Sequence, residues 1–145
     1  MIAASQLENA LGGLLRDQLP NLSNTLEQKL FGRYGPLATF SAKIDIAYAM
    51  GKLTAAGRQD LHAIRNIRNA FAHASKRLHF RSDEMKELLR KVRNYDEQMD
   101  PYALFIKKID QCWDHITFLM KQETLAAFLE AYRSPPSRTS PKKSG

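Results

Sequence analysis

The sequence predicts an all-α fold: one domain of about six or seven helices, spanning residues 1–133, and a disordered basic tail over 134–145. Three observations carry that prediction. Apolar residues recur every three or four positions along most of the chain. Capping residues and Gly or Pro stops bracket those stretches. Nowhere does the pattern alternate with the period of two that a half-buried strand shows. With 145 residues and 43% apolar content, the chain can bury one core.

The elements follow in order. Leu7, Leu11, Leu14 and Leu15 set a first helix from Ile2 to about Leu19, ended by Pro20 and weakened in its middle by Gly12-Gly13. Asn24, with Glu27 three residues on, caps a short second helix to about Phe31. Gly32-Arg33-Tyr34-Gly35-Pro36 reads as a turn, and a third helix runs from about Leu37 to Met50 with Gly51 as its stop. Thr54 caps a fourth helix that continues to His73, and a loop follows over residues 76–81. Ser82 caps a fifth helix with Asp83 and Glu84 in its first turn and Met85, Leu88, Leu89 and Val92 inward. Asp100-Pro101 starts a sixth, to about Lys121, that is apolar over most of its circumference. A short last helix over residues 123–132 completes the domain, with Leu125, Phe128 and Leu129 inward.

The fourth helix holds the candidate site. Leu61, Ile64, Ile67, Phe71 and Ala74 form its core face, while His62, Asn66, Asn69 and His73 share another face beside Arg65 and Arg68. Lys and Glu would be better helix formers on a face that needed only solubility. Arg68-Asn69-x-x-x-His73 resembles the motif of HEPN domains. A longer run resembles the mannitol operon repressor family: Phe31-Gly32-x-x-Gly35-Pro36-Leu37-x-Thr39-Phe40-Ser41-Ala42-Lys43-Ile44, then Ala47-Tyr48-Ala49-Met50-Gly51 and Asp60-Leu61-x-x-Ile64-Arg65-x-Ile67-Arg68-Asn69-x-Phe71-Ala72-His73. That resemblance extends over roughly residues 2–130. It implies a helical, cytoplasmic bacterial protein of transcriptional regulation, and the fold it implies is HEPN-like. It supplies no DNA-reading element, and no helix-turn-helix spacing is visible in the sequence.

Two readings of the site stand side by side. In the regulatory reading, the chain represses through a protein partner, His62, Arg65 and Asn66 serve binding, and Arg68 pairs with a carboxylate such as Asp45. In the enzymatic reading, the HEPN resemblance implies a metal-independent, toxin-like ribonuclease, with His73 as acid or base, Arg68 stabilising phosphorane charge and Asn69 orienting. Arg68 and His73 lie about 140° apart around one helix, so that reading needs the helix to end early or two protomers to pair. The apolar C-terminal helices predict a homodimer.

Of the formal +7 charge, four units sit in residues 133–145, so the body is only mildly basic and RNA or DNA contact stays open. Arg77, Arg81, Lys86, Arg90, Lys91 and Arg93 form a basic cluster diluted by Asp83, Glu84 and Glu87. Cys112 is a single cysteine in an apolar pattern, which predicts a buried, inert thiol and no disulfide. No metal-ligand spacing, cofactor motif, signal peptide or membrane-length apolar run is present, so no metal, cofactor or membrane association is expected. His79 and His115 are expected at the surface.

Overall fold

The computed structural model describes residues 1–74 and 77–133, and within them the protein is all-helical. The helices are α1 (Ile2–Asp17), α2 (Asn24–Phe31), α3 (Phe40–Ala49), α4 (Ala55–His73), α5 (Asp83–Leu89) and α6 (Pro101–Arg133). The expected tail over residues 134–145 lies outside the described residues. α1 packs on α3, α4 and α6, α4 also packs on α3, α5 and α6, and the core fills the space among them. Leu7, Leu11 and Leu14 of α1, Ile44 of α3, Ile64 and Ile67 of α4, Met85 and Leu89 of α5, and Ile116 of α6 are completely buried. Each such side chain contributes about 1.5–3 kcal/mol through removal from water. Phe80, from the turn before α5, stacks among Phe71, Tyr102 and Phe105 at centroid distances of 4.9–5.2 Å. It thereby closes the core over the end of α4.

Local chemistry sets the boundaries. The side chains of Thr39, Thr54 and Ser82 each accept a backbone N–H from three residues ahead, at Ala42, Gly57 and Met85. Asp100 does the same for Ala103, ahead of Pro101. Gly51 takes the left-handed conformation (φ 74°) that ends α3. Gly35 has no room for a side chain, since a Cβ there would sit 2.3 Å from the Leu30 carbonyl oxygen. Two expected starts shift. The cap of α2 is Ser23, whose extended backbone lets its hydroxyl accept from Leu26, so Asn24 is already helical. α3 begins at Phe40 because Leu37 and Ala38 remain in the turn, their amides bonded to the Leu30 and Gly35 carbonyls.

The largest correction concerns the C-terminal helices. Residues 101–133 form one unbroken helix, about 50 Å long, instead of two. Nothing between Pro101 and Arg133 stops a helix: the segment has no further proline and no glycine. What changes near residue 118 is the apolar face. Up to Ile116 the buried side is Leu104, Phe105, Lys108, Ile109, Cys112 and Ile116. Beyond it, Phe118, Leu125, Phe128, Leu129 and Tyr132 form a stripe turned roughly 140° from that side. These five side chains are exposed, Phe128 at 65% and Tyr132 at 81%, so Leu125, Phe128 and Leu129 do not point inward. The last anchor to the body is Glu123, whose carboxylate meets Lys52 at 2.5 Å, and every residue from Thr124 to Arg133 is exposed.

Inside the core lies a charged pair that the apolar patterns conceal. Asp60 of α4 and Lys108 of α6 face each other at 3.5 Å with side chains only 6% and 4% exposed. The other carboxylate oxygen of Asp60 accepts the amide of Arg93 at 2.7 Å, which ties down the chain after α5. Removing one partner of such a pair leaves an uncompensated buried charge. Asp60→Asn should therefore lower stability by about 3–5 kcal/mol in urea unfolding. Asp60→Asn combined with Lys108→Met should recover much of that loss, because no charge is then stranded.

Candidate functional site

α4 runs through the centre of the molecule, and its polar residues fall into separate groups. The first lies against α3. Asp45 accepts from Arg58 at 2.8 Å and from His62 Nε2 at 2.9 Å. The Nδ1 of His62 faces an Arg65 guanidinium nitrogen at 3.3 Å, and that nitrogen also reaches the Ser41 hydroxyl at 3.3 Å. With Nε2 protonated, the imidazole donates to Asp45 and accepts from Arg65, so both of its nitrogens are engaged. The hydrogen bonds from His62 and Arg58 hold the Asp45 carboxyl below the usual carboxylate range. His62 is therefore a member of an ion-pair network instead of a freely solvated helix residue.

The second group lies against α1. Arg68 donates to Glu8 at 2.6 Å, and the other Glu8 oxygen accepts from Lys43 of α3 at 2.9 Å. Lys43 donates further to the Ala38 carbonyl, and its stem passes beside Gly12 of α1. Arg68 also lies over the Phe40 ring, 5.2 Å from its centroid. The expected carboxylate partner on α3 is thus replaced by one on α1, sixty residues away, and Asp45 serves Arg58 and His62. Burial works to raise the Glu8 carboxyl, but the hydrogen bonds and charges of Lys43 and Arg68 together outweigh it and set it low.

Asn66 and Asn69 are half-buried, and neither side chain makes a hydrogen bond among the described residues. His73 is the last residue of α4 and is exposed. The geometry therefore joins His62 to Arg65 and Arg68 to Glu8. Glu8, Lys43, Asp60 and Lys108 escaped sequence reasoning, because each partner is far away along the chain. Arg68 with Asp45 was the nearest guess available, since α3 is the neighbouring helix in sequence.

Several surface residues match their reading and one does not. In the basic cluster, Arg81 meets Asp100, Lys86 meets Asp83, and Arg90 meets Glu87 and Glu97. Such pairs neutralise the face locally and contribute little stability. Cys112 is 8% exposed, and burial, with the nearby Asp60 charge, pushes its thiol up to about 12, which leaves it protonated and unreactive. His115, expected at the surface, is half-buried, and its Nε2 is sealed from solvent without a hydrogen-bond partner among the described residues. It lines a cleft beside Cys112 and the N-terminal turn of α4.

Because the folded Glu8 carboxyl titrates below its unfolded value, its contribution to stability is present above the unfolded value and disappears as pH falls through the folded one. Glu8→Gln should cost roughly 2–3 kcal/mol at pH 7, somewhat less than a fully buried pair. The gap between wild type and variant should close as the pH drops below about 4, measured by urea unfolding across pH.

A family model described as mannitol repressor matches residues 24–130, which include α2 to α5 and most of α6. No curated protein and no solved structure matches the chain. The matched stretch includes the Asp60–Lys108 pair, the Arg68 and Lys43 cations that converge on Glu8, and all of the exposed α6 stripe except Tyr132. The chain belongs to the mannitol repressor family.

Proposed function

We propose that this protein is a transcriptional regulator that works through protein contacts instead of reading DNA itself, and that it self-associates through the distal part of α6. The observation that carries this is the stripe of Phe118, Leu125, Phe128, Leu129 and Tyr132 on a helix that has left the body behind. A solvated helix of that length is marginal alone, and exposed apolar side chains at helical spacing on it favour association. A second copy offers the same stripe, and antiparallel pairing about a twofold axis sets the two stripes against each other reciprocally and closes the assembly at two copies. Family membership supports the regulatory role. The ion pairs of Arg58 and His62 and the hydrogen bonds of Arg65 on the outer side of α4 fit a protein-facing surface better than a recognition helix with free donors.

The ribonuclease reading draws less support. It asks Arg68 to meet phosphorane charge, yet its guanidinium is paired with Glu8 and stacked on Phe40. The HEPN-type arrangement would also need His73 of one copy to meet Arg68 of another.

Light scattering at micromolar concentration should give about twice the 16.5 kDa chain mass. Leu125→Asp with Phe128→Asp should return a monomer that keeps the folded body, with a loss of far-ultraviolet helicity no larger than the distal turns of α6 account for, and should abolish repression of a reporter in cells. A wild type that is monomeric, or a double variant that still represses fully, would overturn the proposal.

A further inference from the structure

Outside the network on α3 and α4, a cleft of about 330 Å³ opens between the start of α4, the turn after α5 and the middle of α6. That volume suits a small metabolite. Its polar lining includes Arg93, Asn94, Gln111 and His115, and its apolar walls include Leu53 and Ile116. The side chains of Arg93, Asn94 and Gln111 make no hydrogen bond or ion pair among the described residues, so they bring uncommitted donors to one opening. Asn94 takes the left-handed backbone conformation (φ 55°) that asparagine adopts readily, and this turns the chain after α5 at the mouth of the cleft. His115 Nε2 is sealed in the wall without a hydrogen-bond partner among the described residues, a cost that a ligand met by a turn of the ring would relieve.

We propose that this cleft binds a small anion, a carboxylate or a phosphate monoester, held by Arg93, Asn94, Gln111 and His115. Sign and chemistry both favour an anion. The Asp60 carboxylate in the cleft would repel one if it were free, but Lys108 and the Arg93 amide occupy both of its oxygens. Arg93 then leaves the cleft with a net positive charge, and the first turn of α4 adds partial positive charge from its amides. A turn of the His115 ring about χ2 gives the stranded nitrogen an acceptor on the ligand. Covalent capture is not part of the site, because the Cys112 thiol stays protonated near neutrality. Binding here is independent of pairing through the far end of α6, so either can fail without the other.

The chain has four histidines, so their ring signals can be followed individually by NMR. Inorganic phosphate, glycerol 3-phosphate and acetate are titrated into the full-length protein at constant ionic strength. The His115 signals should shift saturably with at least one of them, while those of His62, His73 and His79 do not. A response to the two phosphates alone identifies a phosphate ligand, and a response to acetate alone identifies a carboxylate. Arg93→Gln removes the guanidinium yet keeps the backbone amide that Asp60 needs, and should weaken binding about tenfold. Gln111→Leu, at an exposed position on α6, provides a second weakening variant. No saturable His115 shift with any of the three anions, or unchanged affinity in both variants, would overturn the assignment.

Discussion

The fold depends on the way Asp60 and Lys108 fix α4 against α6. A carboxylate and an ammonium that face each other with so little exposed surface tolerate little sliding or rotation, because displacement separates charges that meet little solvent. The second oxygen of Asp60 holds the Arg93 amide, so one side chain sets the register of α4, the course of the turn after α5, and the depth of α6. Such a pair adds less net stability than its Coulomb attraction suggests. What the contacts themselves supply is position: a rotation of α6 would carry Lys108 away from Asp60 and strand both charges.

The other end of α4 is held in a related way. Arg68 and Lys43 converge on Glu8, so α1, α3 and α4 meet at one carboxylate. Between these anchors the apolar face of α4 packs through Leu61, Ile64 and Ile67. Part of the Arg-and-Asn run that makes α4 conspicuous is thereby accounted for by architecture. Arg68 crosses to α1, Arg65 and His62 cross to α3, and His73 ends the helix in solvent. The regulatory reading places function on what the body does not use: the distal stripe of α6.

What could be read from the sequence was local. The caps at Thr54, Ser82 and Asp100 and the stop at Gly51 depend on neighbours within three residues, and each forms in the structure as expected. Family membership was legible in the Phe31–His73 motifs, and the matching family model extends to residue 130. The misses have physical causes. Asp60 and Lys108 stand next to apolar residues, where charge is ordinarily a sign of solvent, and 48 residues separate them. The expected division of α6 between Lys121 and Glu123 had no proline or glycine behind it, and a stripe can swing around a helix without any breaker. His115 looked like surface because its burial comes from a tertiary cleft, which no periodicity reveals.

If the polar run of α4 is architecture and not catalysis, the two conspicuous residues of its motif should respond differently to removal, and neither through chemistry. RNA cleavage by wild type, Arg68→Ala and His73→Ala, in the presence of a chelator and alongside thermal melts, is the most direct test. The account predicts no chelator-resistant cleavage by any of the three, a clearly lower melting temperature for Arg68→Ala because Glu8 loses a partner, and little change for the exposed His73→Ala. Chelator-resistant cleavage by the wild type that vanishes in a fully stable His73→Ala protein would contradict it.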